Sequence, residues 1–257
     1  MGDHMDIDLN STTLARQMEG QPIADAMDRA ILAKQALQEP RRYLGGSYIG
    51  NDCERQIQYQ YTVTPVDEGR GFPANILRVF ERGHITEDMV AVWLREAGFI
   101  LKTEGADGRQ FGFSSALGRF KGHADGVITG WNGEGEAPCA FPALWENKAL
   151  NTKTWAKVAQ HGVKKVKPVY YAQVALYQYH LQLMDNPAVF TFVNADTMEI
   201  GVELIHFDPV ECQRMIDRAA RIIQATDAQD QLPRIASESD HFACRFCSFS
   251  QRCWSAP

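Results

Sequence analysis

The chain has no apolar run approaching the roughly eighteen residues that a membrane-spanning helix requires, so no transmembrane segment is expected. Its opening stretch carries Asp3, Asp6 and Asp8 and lacks the basic and apolar regions of a secretory signal, which points to a cytoplasmic protein. Met1-Gly2-Asp3-His4 reads as a cloning scar ahead of a natural start at Met5. There is no Gly-x-x-x-x-Gly-Lys-Ser/Thr, so no ATP motor is expected. Gly-x-Gly-x-x-Gly, Gly-x-Ser-x-Gly and His-Glu-x-x-His are absent too, as is any internal repeat. What remains is an ordinary composition: 257 residues, 45% apolar and 23% charged, which excludes wholesale disorder and collagen-like architecture. That length admits one large domain or two small ones.

A net charge of -6 argues by itself against a nucleic-acid binder. The distribution argues the other way. From Asn147 to Ala172 there is no acidic residue, yet Lys148, Lys153, Lys157, Lys164, Lys165 and Lys167 all fall there. A local basic strip can grip a phosphate backbone, because screening makes binding a near-surface matter. A solvated helix face with a lysine-rich loop is the plain alternative.

Hydrophobic spacing predicts helices over Asp25 to Leu37, Asn51 to Tyr61 (Asp52 as cap, Cys53 in the first turn) and Ala74 to Gly98. From Phe99 the period changes to two. Strands are expected over Phe99 to Lys102, Gln110 to Ser114, Arg119 to Thr129 and Phe141 to Leu150. A helix from Pro168 to Met184, strands over Val189 to Asn194 and Ile200 to Phe207, and a helix from Asp208 to about Ala228 complete the pattern. Helices, strands, helix, strands and helix in that order describe an α/β core with helical decoration at both ends.

Within the strand from Arg119 to Ile128, alternation places Asp125 on a charged face with Lys121 and His123. Glu146 and Lys148, two apart on the next strand, share a face as well. Side-by-side strands would bring Asp125, Glu146 and Lys148 to one spot. Two carboxylates suit a hard divalent ion that also binds water and substrate phosphate. Such an ion acidifies a bound water and neutralises charge on a scissile phosphate, while a lysine orients the water or stabilises the same charge. A cross-strand salt bridge on an exposed face is the structural alternative.

Gly122-His123-Ala124-Asp125-Gly126, then Glu146-Asn147-Lys148, then Gln173-Val174-Ala175-Leu176-Tyr177 resemble the PD-(D/E)XK nuclease superfamily, in its RecB-like exonuclease branch, which includes CRISPR-associated RecB-like nucleases and phage relatives. The resemblance implies a mixed central sheet flanked by helices, metal on Asp125 and Glu146, a water-assisting Lys148, Gln173 at the rim of the active site, and Tyr177 against DNA or in packing. Arg82-Gly83-His84-Ile85-Thr86-Glu87 is similar to the family's upstream helix, which makes Glu87 the preferred further Mg²⁺ or Mn²⁺ ligand and His84 an alternative one. The family's proline before the aspartate is replaced by Ala124.

Six cysteines in a cytosolic chain suggest metal or chemistry rather than disulfides. Cys139 and Cys212 look solitary. Cys244, Cys247 and Cys253 are closely spaced but do not complete a tetrahedral site, so a fourth ligand must come from elsewhere. The same branch, in its members with an iron–sulfur staple, has one cysteine before the core and three after it. This implies a [4Fe-4S] cluster on Cys53, Cys244, Cys247 and Cys253. Structural Zn²⁺ is the rival, with His241 able to replace Cys53.

The expectation is therefore an α/β, restriction-endonuclease-like core over residues 43–257, closed by a C-terminal metal-cluster tail, behind a helical or flexible extension over 1–42. The expected activity is that of a metal-dependent DNA exonuclease on linear or single-stranded ends, gripping phosphates through Lys153, Lys157, Lys164 and Lys165. A structure- or site-preferring endonuclease and a non-catalytic DNA-binding or assembly subunit are the alternatives. Without a motor, unwinding would fall to a helicase, recombination or adaptation partner, and a homo-oligomer around DNA stays open.

Overall fold

In the computed structural model, which describes residues 20–255, the chain forms two compact units: residues 20–39 with 72–81, and residues 40–71 with 82–255. Part of the 1–42 extension expected from the sequence lies outside the described residues.

In the first unit, helix α1 (Gln21–Ala36) starts with Pro22 in its first turn, where a missing N–H costs nothing. Arg78 pairs with Asp28, and Lys34 with Glu81 at 3.4 Å. Those two acids and two bases link α1 to the opening turns of α3 (Ala74–Glu96), a helix whose later turns belong to the second unit.

The second unit begins with the two-residue strand β1 (Leu44–Gly45) and helix α2 (Glu54–Tyr61). After α3 come β2 (Phe99–Lys102), β3 (Gly112–Ser115), β4 (Phe120–His123), β5 (Gly126–Trp131) and β6 (Ala143–Leu150). Helices α4 (Thr152–His161), α5 (Val163–Val166) and α6 (Pro168–His180) follow, then β7 (Ala188–Asn194), β8 (Ile200–Ile205) and α7 (Pro209–Asp227). Two short helices, α8 (Phe242–Arg245) and α9 (Ser250–Ser255), form the tail. The main sheet runs β2-β5-β6-β7-β8, with β6 and β7 parallel and the other neighbours antiparallel. A smaller sheet runs β1-β4-β3.

The centre of the main sheet, β6 and β7, is buried on both faces. Leu144, Phe190 and Phe192 meet Ala172 and Leu176 of α6 and Met215 and Ile222 of α7. The alternate residues Trp145, Val189 and Val193 meet Val90 and Ala91 of α3. A parallel pair needs a long crossover, and α4 to α6 supply it between β6 and β7. Lys153 and Lys157 thus lie on α4 and Lys164 and Lys165 on α5, the first helix capped by the Asn151 side chain, which accepts from Thr154 N at 2.9 Å. No helix among the described residues is long and apolar enough to cross a membrane.

One expected strand is two. The stretch expected as a single strand over Arg119 to Thr129 breaks at Ala124 and Asp125, with β4 paired in the small sheet and β5 in the large one. The small residues there allow the chain to pass between sheets. Gly126 is packed so closely that a Cβ would come within 2.8 Å of both the Leu101 side chain and the Lys102 carbonyl. Asp125 therefore lies on the link between sheets rather than on an alternating strand face.

Candidate active site

The link between sheets places Asp125 beside the middle of β6. Its Oδ2 accepts from Asn147 N at 2.8 Å, and its own N–H faces Glu146 Oε1 at 3.4 Å. Glu146 has no solvent exposure and Asp125 only 8%. Lys148 Nζ stands between the two carboxylates, 3.1 Å from Glu146 Oε2 and 3.6 Å from Asp125 Oδ2. From α6, Gln173 Nε2 donates to the same Glu146 Oε2 at 2.7 Å. Asp125, Glu146, Lys148 and Gln173 thus meet at one point, and Gln173 is buried in the wall rather than at the rim.

A buried carboxylate without full compensation holds its proton. Burial, reinforced by the charge of Asp125, pushes Glu146 up to about 8 even though Lys148 opposes the shift. Burial and then the charge of Asp125 push Glu87 up to about 7, again against Lys148. Burial pulls Lys148 down, but Asp125 and Glu146 together outweigh it, so its ammonium is held raised and charged. Glu87, on α3, is therefore electrostatically part of the site. His84, one turn earlier, is exposed.

The carboxylate set is that of a hard divalent ion. No three His, Cys, Asp or Glu side chains among the described residues stand in ligating geometry, here or at the cysteines, and at the carboxylates the lysine ammonium lies within 3.6 Å of both acids.

One expected DNA contact needs correction. Tyr177 is 2% exposed and packs in the core, its ring 6.0 Å from that of Phe113, so it cannot touch a nucleic acid. Lys164 is exposed; it pairs at 2.9 Å with Asp208, the carboxylate that caps α7, and lies over the Tyr171 ring. Lys153, Lys157 and Lys165 are exposed on α4 and α5. One aromatic escaped the sequence reading: the ring of Tyr170 has Lys148 at 5.7 Å and Lys167 at 5.8 Å. Its signal was available, because residues three apart on a helix share a face and Tyr170 precedes Gln173 by three.

The four cysteines Cys53, Cys244, Cys247 and Cys253 line one cavity against α2, and all are free thiols. Cys53 is the N-cap residue of α2 rather than part of its first turn, its N–H donating to Asn51 Oδ1 at 3.1 Å. His241 is exposed and caps α8 through Nδ1, so Cys53 and not His241 accompanies the three tail cysteines. Burial raises the Cys247 thiol, and its three cysteine neighbours add to the rise. Cys139 and Cys212 lie elsewhere, the latter pushed up to about 11 by burial. A feature the sequence did not signal is Arg55. It is 7% exposed, donates to the Leu232 carbonyl, and holds Nη1 3.7 Å from Cys253 Sγ.

No family model matches the chain, and no curated protein matches it in sequence. Among solved structures it is similar to an alkaline exonuclease, LHK-Exo, from Laribacter hongkongensis, at 14% identity and a TM-score of 0.50, over 80% of this chain and 93% of that one. LHK-Exo in complex with dAMP matches at 16% identity and 0.48, covering 73% and 89%. The protein SSO0001 matches at 13% and 0.48, covering 90% and 96%. At such identities the likeness to LHK-Exo is one of fold, and this chain has the mixed α/β, helix-flanked fold of that exonuclease.

Proposed function

We propose that the protein is a metal-dependent nuclease that hydrolyses phosphodiester bonds of DNA, acting from linear or single-stranded ends. The observation that carries this reading is the buried meeting of Asp125, Glu146 and Lys148. An excess of carboxylate in a low-dielectric site, with two acids pushed toward neutral pH, is the donor chemistry a divalent cation satisfies. Asp125, Glu146 and Glu87 would hold Mg²⁺ or Mn²⁺, with His84 the alternative ligand on the same helix as Glu87. When bound, the ion acidifies water and draws charge from the scissile phosphate. Lys148 supplies a fixed positive charge to the developing pentavalent phosphate or orients the attacking water. Gln173 fixes the Glu146 carboxylate, and Asn147 N fixes Asp125. The name of the alkaline exonuclease that shares the fold agrees with this chemistry.

Cys53, Cys244, Cys247 and Cys253 would hold a [4Fe-4S] cluster, with Zn²⁺ the alternative that four thiolates also suit. Two observations support a metal there: four cysteines, none in a disulfide, around one cavity, and a buried arginine that donates to a carbonyl and reaches one of their sulfurs. An uncompensated buried guanidinium is costly, and an anionic four-thiolate site offsets that cost.

The reading is tested by incubating the purified protein with Mg²⁺ or Mn²⁺ and two DNAs, an end-labelled linear single strand and a closed circle. Degradation of the linear strand alone is the expected result. Cutting of the circle would convert the exonuclease into an endonuclease, and DNA binding without cleavage of either would make the protein a binding subunit.

A further inference from the structure

The strand that delivers Asp125 has a second face. On β4, Phe120 and Gly122 point into the core, so Lys121 and His123 point out on the opposite side of the small sheet. Opposite them on β3 the register sets Ser114 across from Lys121 and Gly112 across from His123. Small residues opposite longer polar ones keep this face of the sheet open. These four residues line an open trough of about 380 Å³, together with Arg109 at its edge. Lys121 extends toward the Tyr43 ring, with Nζ 5.3 Å from its centroid.

We infer that this trough is the track for a single-stranded nucleic-acid backbone on its way to Asp125. The inference rests on the nuclease reading and adds to it a surface that the lysine strip of α4 and α5 does not include. Charge complementarity argues for the occupant. Lys121 and Arg109 offer cations, His123 and Ser114 offer hydrogen bonds, and the one acid in the lining, Asp107, is an exposed partner of Arg109 at 3.9 Å whose pull solvent screens. Tyr43, already under a cation, offers an aromatic face of the kind on which bases stack. Geometry supplies the direction. β4 ends at His123, and Ala124 and Asp125 follow it directly as the link between the sheets, so the trough and Asp125 are neighbours along one segment of chain. Gln110, also in the lining, donates through Nε2 to the Ala124 carbonyl at 3.1 Å, so the trough edge is hydrogen-bonded to the turn that carries Asp125.

The test is fluorescence anisotropy of a labelled single-stranded oligonucleotide across a salt series, with Ca²⁺ in place of Mg²⁺ to prevent cleavage. The full chain is compared with a Lys121→Ala/Arg109→Ala double variant and a Lys153→Ala/Lys157→Ala double variant. Equal melting temperatures establish that the surface changes leave the fold intact, and Lys121→Gln with Arg109→Gln replaces the first pair if they do not. The trough variant is expected to bind several-fold more weakly and to lose about 1.4 from the log–log salt slope, two phosphate contacts at about 0.7 each. Wild-type binding that the trough variant retains, with the same slope, overturns the trough and leaves the nuclease reading standing. Failure of the wild type itself to bind overturns both.

Discussion

At the scale of single residues, the site is a balance between three carboxylates and one ammonium. Lys148 opposes the rise of both Glu146 and Glu87, so removing it changes electrostatics and chemistry in opposite directions. Lys148→Met is expected to lower cleavage by about 100-fold or more, the range for loss of one charge-stabilising donor. The same variant should bind Mn²⁺ at least as tightly as wild type in calorimetry, because the competing ammonium is gone. Gln173→Leu removes the hydrogen bond that orients Glu146, and outer partners of metal-binding groups are worth roughly 10- to 100-fold. That loss should appear in kcat with little change in KM for DNA. Protonation gives the pH dependence its sign. Glu146 and Glu87 have folded pKa values of about 8 and about 7, above the ordinary carboxylate value, so the metal-free fold binds these protons more tightly than the unfolded chain does. Its stability is therefore fully present at acid pH and falls as pH rises from the usual carboxylate range through about 7 and 8. A metal competes with those protons. Melting curves should show divalent ions raising Tm more at pH 8 than at pH 6, and cleavage at limiting Mg²⁺ should rise over the same interval.

At the scale of elements, the small sheet carries more of the design than the sequence showed. Glu146 and Lys148 were legible because one strand with one period carries both, and β6 keeps that period from Ala143 to Leu150. Asp125 was legible as a residue and wrong as a geometry. Alternation over Arg119 to Ile128 is continuous in sequence, and nothing local says that hydrogen-bonding partners change at Ala124, since strand pairing is non-local. Tyr177 was misassigned for a related reason: a tyrosine on a helix shows its face but not what covers it. What covers it is the glycine floor of the small sheet. A Cβ at Gly122 would lie 2.5 Å from the Tyr177 ring and 2.6 Å from that of Phe113. Gly122→Ala is therefore an overpacking mutation, expected to cost about 1–3 kcal/mol and to lower Tm. Tyr177→Phe should leave DNA affinity unchanged. The long helices were legible through their apolar stripes, whereas α4 and α5 hid behind a lysine-rich composition that suits loops as well as helices.

At the scale of the whole second unit, the tail is bound back onto the segment before the core. Asp67 accepts from Gln251 N at 2.6 Å and donates its own N–H to Ser248 O at 2.9 Å, while Arg55 reaches Leu232 and Cys253. A metal on the four cysteines would add a cross-link over a very long loop, for which the chain-entropy estimate is about 4.7 kcal/mol at a hundred residues and grows slowly beyond. Cys247→Ala is expected to lose bound metal and folded yield together, read by elemental analysis and melting temperature. Unchanged values in both would sink the staple. The cysteine spacing made Cys244, Cys247 and Cys253 legible as a group and the family resemblance added Cys53, whereas Arg55 beside them gave no signal in the sequence. The account stands or falls on its central claim that the buried carboxylate–lysine site cleaves DNA with a divalent ion. The most direct measurement is release of label from end-labelled linear single-stranded DNA by wild type and by Glu146→Ala, each with Mg²⁺ and with chelator. The account predicts release by the wild type with Mg²⁺ alone. Equal release by Glu146→Ala, or release by the wild type in chelator, would contradict it.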